Sequence, residues 1–217
     1  NAWTTANLSE PRYRLAAAAA GSKVLFAGGM NSNGYSATVD IYDVTTGAWT
    51  TAQLSQARNL LTATSCGNQI FFAGGDSGNG YSNVVDIYDV STNSWATASL
   101  SVARRKFAAA SAGTKVLFAG GEGGTTGYSN VVDIYDTATN KWTTSQLSES
   151  KYALAGAGAG NTIVFAGGVA TGGNSKIAEI YDVTTGTWTT QTLTEATSYN
   201  CAVSAGTKLV FSASGDN

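Results

Sequence analysis

Basic and acidic side chains recur in step along the chain, an arrangement that could form ion pairs or an anion-binding ring. Each acid follows its base by 28 or 29 residues, and the fourth copy replaces both members at once, by lysine and glutamate. This joint change favours one-to-one ion pairs, because a partly buried arginine without a carboxylate is costly. The alternative is a ring of cations that binds an anionic ligand. The bases are Arg12, Arg58, Arg104 and Lys151, and the acids are Asp40, Asp86, Asp133 and Glu179.

Residue types that most catalytic sites need are missing. The chain contains no histidine, which removes the commonest general base and metal ligand. The segment from Asp76 to Gly80 resembles a calcium loop but offers a single carboxylate, too few for a site. The glycine-rich loops do not lead into helices, so phosphate binding of the P-loop kind is not predicted. We therefore predict a non-enzymatic protein without cofactor or metal; catalysis by paired carboxylates is the alternative.

The charge balance bears on partners and location. The 217 residues include 12 basic and 14 acidic ones, for a net charge of -2, and the pI is about 5.0. These values give no electrostatic reason to bind nucleic acid, and no apolar run is long enough for membrane insertion. Low charge together with many serine, threonine and glycine residues favours an extracellular or secreted protein, with a cytoplasmic location as the alternative.

A single repeat accounts for most of the sequence. Equivalent phenylalanines are separated by 46, 46, 47 and 46 residues, and the tryptophans keep the same steps. A fixed period of this size predicts a repeat architecture, in which each unit buries its apolar face against its neighbours. The two series are Phe26, Phe72, Phe118, Phe165 and Phe211, and Trp3, Trp49, Trp95, Trp142 and Trp188.

The sequence pattern of each complete unit predicts four strands. The first is short, with small and apolar residues, as from Phe107 to Ala112. The second is an apolar run that ends in a glycine doublet, as from Lys115 to Gly121, and the third contains Val132 to Asp136. The fourth begins at the tryptophan. Short runs rich in Val, Ile, Phe, Tyr and Thr and bounded by Gly or Asn are typical of β-strands.

A glycine doublet after an apolar strand, then Tyr-Asp, then a tryptophan after a turn, resembles the kelch repeat. The resemblance covers the whole chain. It implies an all-β, kelch-type β-propeller with one four-stranded antiparallel blade per repeat around a central axis. The implied domain is residues 1–217, with blades at about 10–52, 56–98, 102–145 and 149–191, and a fifth that joins 195–217 to 1–7.

The two ends of the sequence predict how the fifth blade is closed. The sequence begins at a fourth strand, Trp3-Thr4-Thr5-Ala6, and the last unit contains strands one and two, the second being Leu209-Val210-Phe211. Closure within one chain would join these strands into a blade without a third strand. Thr197 replaces the base of this unit, as expected where no acid is present to pair. The alternatives are a head-to-tail filament and a longer ring of which these residues are a part.

The remaining candidates lie on loops. In such a blade, the connections from strand two to three and from strand four to the next strand one emerge on one face, which we call the loop face. Tyrosines and a few cations around a shallow opening suit a peptide or a sugar; the alternative is that each repeated tyrosine packs on its own glycine-rich loop. The candidate ligand-binding residues are Arg14, Tyr35, Tyr81, Lys106, Tyr128, Asn174 and Tyr199.

These observations predict a non-enzymatic interaction module that binds a protein or a glycan on the loop face. The alternative is a structural repeat subunit of an extracellular assembly or filament, whose partners are copies of itself. A kelch-type enzyme of unknown reaction is the third hypothesis.

Overall fold

Four antiparallel sheets of four strands follow one another along the chain, and we call them blades 1 to 4. The computed structural model describes residues 3–123, 127–198 and 201–212. Those residues contain no helix, and so none that is long and apolar enough to span a membrane. The predicted all-β fold is confirmed.

Within each blade, every strand pairs with the strand that follows it in that blade, and in blades 1, 3 and 4 short ribbon strands lie between the second and the third. Blade 1 contains Ala16–Ala20, Lys23–Ala27, Thr38–Asp43 and Trp49–Gln53. Blade 2 contains Thr62–Cys66, Gln69–Ala73, Val84–Asp89 and Ser94–Ser99. Blade 3 contains Ala108–Ala112, Lys115–Ala119, Val131–Asp136 and Lys141–Gln146. Blade 4 contains Ala155–Ala159, Thr162–Ala166, Ile177–Asp182 and Thr187–Thr192. A two-stranded hairpin, Ala202–Ala205 with Lys208–Phe211, follows blade 4.

The core lies between blades, because alternate residues of a strand point to opposite faces of its sheet. Phe71 and Ile87 of blade 2 pack against Phe118 and Tyr135 of blade 3, and Phe71 and Phe118 have no exposed surface. Trp142 extends this layer, with its ring 4.9 Å from that of Tyr135. Burying one such large apolar side chain contributes about 1.5–3 kcal/mol. Each blade is therefore stabilised by packing against its neighbours as well as by its own ladder.

The glycine doublets stand where the backbones of adjacent blades meet. Gly121 N–H donates to the Lys151 carbonyl at 2.8 Å, and Lys151 N–H donates to the Ser129 carbonyl at 3.1 Å. A Cβ on Gly120 would lie 2.6 Å from that Lys151 oxygen. Gly121 also has a φ of 110°, which favours glycine. A side chain on Gly120 would push blades 3 and 4 apart, and one on Gly121 would meet the Arg105 carbonyl of its own blade at 2.8 Å.

The first strands of the four blades and of the hairpin surround a central channel of about 680 Å³. Its walls are mostly small residues, and a Cβ on Gly158 would lie only 2.1 Å from the Ser111 carbonyl oxygen. Small side chains at the axis therefore allow the innermost strands to approach closely.

The fifth unit differs from the predicted composite blade. Among the described residues, its sheet contains only the hairpin strands. Residues 3–8 form no strand, and Trp3 is fully exposed, at 101%. In blades 1 to 4 the fourth strand bonds only to the third, as Trp142 does to Tyr135. Among the described residues no third strand joins the hairpin to the Trp3 segment, so the predicted closure is not formed by these residues.

Candidate functional site

Short β-ribbons hold the connections of the loop face. In blade 3, Arg104–Arg105 pairs with Glu122–Gly123. In blade 4, Lys151–Tyr152 pairs with Val169–Ala170. Val169–Ala170 pairs on its other edge with Gly173–Asn174. Each ribbon ties the segment before the first strand to the connection after the second strand. Side chains on these loops are therefore carried by a rigid scaffold, as binding residues often are.

Eight side chains from all four blades form a contiguous group on this face, which we call the loop-face cluster. Its centre is Arg105, whose guanidinium lies 3.0 Å from the Asp76 carboxylate and 2.8 Å from the Glu122 carboxylate. Lys106 Nζ contacts the second Glu122 oxygen at 2.8 Å. The members are Tyr35, Asp76, Tyr81, Arg105, Lys106, Glu122, Tyr128 and Tyr152.

The charges of the cluster remain in contact with solvent while holding one another in place. Side chains of the four charged members are 16% to 26% exposed. Burial acts to raise the pKa of Glu122, but the hydrogen bonds from Lys106 and Arg105 outweigh it, so the pKa lies below its ordinary range. Glu122 is therefore ionised near neutral pH and acts as a hydrogen-bond acceptor.

The aromatic members connect each blade to the next. The Arg105 guanidinium lies 4.9 Å from the centre of the Tyr81 ring, within cation–π range. Lys106 Nζ lies 5.2 Å from the Tyr152 ring, and the Tyr128 and Tyr152 rings are 4.8 Å apart. In blade 1, the Tyr35 hydroxyl donates to Asp76 of blade 2 at 3.4 Å. The tyrosines thus pack on the loops of the following blade rather than solely on their own.

The residue two positions before each first strand has a left-handed backbone. The φ angles of Arg14, Leu60, Lys106 and Ala153 lie between 50° and 57°, a conformation that is costly for residues other than glycine. Backbone bonds between blades hold it: Leu60 N–H donates to the Arg14 carbonyl at 3.1 Å, and Ala153 N–H to the Lys106 carbonyl at 2.9 Å. Such strain is concentrated at functional sites, and here it fixes the position of Lys106.

The structure brings together four of the predicted ligand-binding residues, Tyr35, Tyr81, Lys106 and Tyr128, in the loop-face cluster. The other three are placed differently. Arg14 is exposed in blade 1, over the ring of Tyr13 at 5.6 Å. Asn174 lies on the ribbon of blade 4, opposite Val169. Tyr199 lies outside the described residues.

Sequence reasoning missed four members of the cluster: Asp76, Arg105, Glu122 and Tyr152. A signal was present in the repeat. Asp76 and Glu122 each follow a glycine doublet directly, and Arg105 and Tyr152 each follow the recurring base. Alignment of these two positions across the units would have indicated that they face each other, as Arg105 and Glu122 do.

The recurring bases and acids are also brought together beneath the loop face, and two of the bases contact a second acid as well, Arg12 with Glu10 and Lys151 with Glu149, each at 3.3 Å. Nitrogen–oxygen distances are 2.5 Å for Arg12–Asp40, 2.8 Å for Arg104–Asp133 and 3.8 Å for Lys151–Glu179; Arg58 contacts Asp86 in the same way. All four basic side chains have no exposed surface. We call these pairs the ion-pair layer. Because its cations are withdrawn from solvent, it does not offer the exposed anion-binding ring of the alternative hypothesis.

Each ion pair also binds backbone groups. Arg104 donates to the Phe118 carbonyl at 2.9 Å, and Asp133 accepts from Ser101 N–H at 2.9 Å. Equivalent carboxylate bonds reach Ser9, Ser55 and Ser148. The pair thereby fixes the segment that enters each blade, including the residues beside Arg104 that belong to the loop-face cluster.

Comparisons with known proteins agree with this architecture. Residues 1–152 match the family model of the KLHDC2/KLHL20/DRC7 Kelch-repeats domain. The solved structure of YjhT superposes with a TM-score of 0.75 at 16% sequence identity, covering 95% of this chain and 78% of that chain. At this identity the likeness concerns the fold alone. No curated protein sequence matches the chain. The family match spans more than half of the chain, and the protein is therefore a member of the Kelch-repeat family.

Proposed function

We propose that the chain is a non-enzymatic interaction module that binds a peptide segment of a partner protein at the loop-face cluster. Kelch-repeat propellers commonly act as protein-interaction modules. The observation that supports this face is the continuity of the cluster: partly exposed charged and aromatic side chains contact one another from Tyr35 in blade 1 to Tyr152 in blade 4.

The composition of the cluster suits peptide recognition. Tyrosine and arginine are enriched among the residues that contribute most to binding energy at interfaces. Arg105 and Lys106 balance Asp76 and Glu122 in charge, so the surface offers donors and acceptors together rather than one sign of charge. Such a surface suits the amides and polar side chains of a peptide. Because the side chains already hold one another, little conformational entropy is lost on binding.

The same chemistry supports a role without catalysis. The chain has no histidine. Glu122 has a lowered pKa because the hydrogen bonds from Lys106 and Arg105 outweigh burial, which makes it a poor general acid near neutral pH. The carboxylates of this face are thus engaged as ion-pair partners.

A screen followed by a matched pair of variants tests the proposal. Wild-type protein is applied to an array of twelve-residue peptides and, in parallel, to a glycan array. A peptide selected there is titrated against Lys106→Ala and Lys115→Ala. The two lysines are matched, since each side chain is 26% exposed and pairs with a carboxylate at 2.8 Å or 2.9 Å. Lys115 follows the turn between the first and second strands, at the other end of the blade.

We expect Lys106→Ala to weaken peptide binding by about tenfold, as loss of an important interface side chain does, and Lys115→Ala to leave it unchanged. Equal affinities for both variants would place the peptide elsewhere. Binding on the glycan array alone, with loss in Lys106→Ala, would replace the peptide by a sugar at the same face.

A further inference from the structure

The chain has a single methionine, and it lies on the loop face beside the loop-face cluster. Met30 follows the glycine doublet of blade 1, the position that Asp76 and Glu122 occupy in blades 2 and 3. Its backbone is paired with Tyr35 on one side and with Tyr13 on the other, and the residue is partly exposed. A thioether that oxidants can reach therefore stands where the next two blades have a carboxylate.

The Met30 sulfur accepts a hydrogen bond from the next blade. Asn59 Nδ2 donates to Met30 Sδ at 2.9 Å. Asn59 is buried, with 2% of its surface exposed, and within the described residues its Oδ1 atom has no hydrogen-bond partner. Arg105 contacts Asp76 across the next blade boundary in the equivalent way. The contact between blades 1 and 2 thus depends on the chemical state of one sulfur atom, which is a weak acceptor.

Asn59 is joined directly to the loop-face cluster. Its N–H donates to the Asp76 carbonyl at 2.9 Å, and Asp76 N–H donates to the Asn59 carbonyl at 2.8 Å. The packing here is tight, since a Cβ on Gly75 would lie 2.4 Å from the Asn59 carbonyl oxygen. The Asp76 carboxylate in turn accepts from the Tyr35 hydroxyl and contacts Arg105. A displacement of Asn59 would therefore move Asp76 and the cluster side chains that it holds.

We propose that Met30 is a site of reversible oxidation, at which a peroxide converts the thioether to a sulfoxide and thereby weakens binding at the loop-face cluster. The O–O bond of the peroxide breaks, one oxygen becomes bonded to sulfur, and the other leaves as water or an alcohol. Sulfur loses two electrons and the peroxide gains them. Two thiols of a sulfoxide reductase reverse the change: they become a disulfide, and the oxygen leaves as water. The effect on binding rests on the proposed function, whereas the oxidation does not.

Either epimer of the sulfoxide disturbs Asn59. The 2.9 Å between Nδ2 and Sδ leaves no room for an oxygen between the two atoms. An oxygen on the other lone pair leaves a positively polarised sulfur facing the amide hydrogens. In both cases a buried donor loses its acceptor, which is costly. The Asn59 side chain must then move, and Met30 acts on the cluster through it rather than by touching the peptide.

The modification itself can be measured at one site. Folded wild-type protein is treated with hydrogen peroxide and digested with trypsin, which releases residues 24–58, a fragment that contains Met30 and no cysteine. We expect this fragment to gain one oxygen, assigned to Met30 by fragmentation in the mass spectrometer, while circular dichroism shows that the protein stays folded. Sulfoxide reductases specific for the two epimers should remove the oxygen. An unmodified Met30 in the treated, folded protein would overturn the proposal.

Met30→Leu is the matched control, because it keeps a similar volume and has no sulfur at this position. Amide chemical shifts of isotope-labelled protein are compared before and after peroxide. We expect changes at Tyr35, Asn59 and Asp76 in wild type and none there in Met30→Leu. The peptide selected on the array should bind oxidised wild type at least about fivefold more weakly, the smaller effect expected for an unpaired buried donor. Reductase treatment should restore its affinity, and peroxide should leave the affinity of Met30→Leu unchanged.

The outcomes separate this proposal from the proposed function. A sulfoxide at Met30 that alters neither the shifts of Asn59 and Asp76 nor the affinity would overturn the inference. Equal losses of affinity in wild type and Met30→Leu would assign the effect to another residue and would also overturn it. If no peptide binds untreated wild type, the proposed function fails, and the shifts of Asn59 and Asp76 still decide whether oxidation of Met30 reaches the cluster.

Discussion

Arg104 and Arg105 follow each other in one short strand of blade 3, but their guanidinium groups have different surroundings. Arg104 has no exposed side-chain surface and contacts Asp133 of its own blade. Arg105 is 25% exposed and contacts Asp76 of the preceding blade as well as Glu122 of its own. Alternation along the strand directs one side chain into the blade and the next one to the loop face.

The buried residues of the ion-pair layer stabilise the fold, and the partly exposed residues of the loop-face cluster are the ones proposed to bind a partner. The ion-pair layer is closed to solvent and recurs in every blade, so it serves the repeat. The loop-face cluster is open, and its charged members differ from unit to unit, which agrees with the proposed role in binding a partner. Removing a charge from the layer should therefore affect folding, and removing one from the cluster should affect recognition.

The largest expected effect is on the ion-pair layer. Asp133→Ala leaves Arg104 charged, buried and without a carboxylate, and should lower the free energy of unfolding by about 3–5 kcal/mol. Urea denaturation measures the change. Asp136→Ala in the same strand is the control, since its partner Lys115 is partly exposed and its loss should be smaller. Equal losses would contradict a structural role for the layer.

The glycine doublet of blade 3 should tolerate substitution less well than the tip of the loop that follows it. Gly121 and Gly127 both have positive φ, 110° and 86°. A Cβ on Gly121 would lie 2.8 Å from the Arg105 carbonyl, whereas one on Gly127 meets no atom within 4 Å. Gly121→Ala should therefore be less stable than Gly127→Ala by about 1–3 kcal/mol, the usual cost of overpacking. Thermal and urea unfolding of both variants measure this difference, and similar stabilities would show that the close approach is not restrictive.

Blade 4 has a lysine and a glutamate where the other blades have an arginine and an aspartate, and this pair can be introduced into blade 3. Arg104→Lys alone should destabilise the protein, and Asp133→Glu added to it should recover part of the loss. A double-mutant cycle should give a coupling of about 0.5–3 kcal/mol, the range for residues in contact. A coupling near zero would mean that the two positions change independently.

The smallest effect concerns pH and the loop-face cluster. The hydrogen bonds from Lys106 and Arg105 outweigh burial and place the pKa of Glu122 below its ordinary value of 4.5. The folded state then binds this proton less readily than the unfolded state, so the contribution to stability is present above the ordinary value and is lost as pH falls through the lowered one. Unfolding of wild type and Glu122→Gln between about pH 2.5 and 6 should show a difference that shrinks on acidification, by less than about 1 kcal/mol. A difference that grows on acidification would contradict the assigned sign.

Much of the fold could be predicted because the same sequence features recur in every unit. Phe118, Trp142 and their equivalents mark every blade, and the change to Lys151 and Glu179 indicates which charges belong together. Repetition turns a single sequence into several observations of one structure, because each unit must solve the same packing problem.

Only half of the loop-face cluster was predictable, because its charged residues are not repeated from unit to unit. Arg105 links Asp76 of one blade to Glu122 of another, and this set of charges occurs once in the chain. Recognising it requires knowledge of which loops become neighbours across a blade boundary. The Trp3 segment has the sequence of a fourth strand, but a strand needs a partner to bond with, and the described residues do not provide one.

The most direct test of the proposed function is a map of the amide chemical shifts that change when the peptide selected on the array binds to isotope-labelled protein. The account predicts that the largest changes fall on the loop face, at Tyr35, Tyr81, Arg105, Lys106 and Glu122. Changes centred instead on the turns at the opposite ends of the blades, beside Lys115 and Asp136, would contradict it.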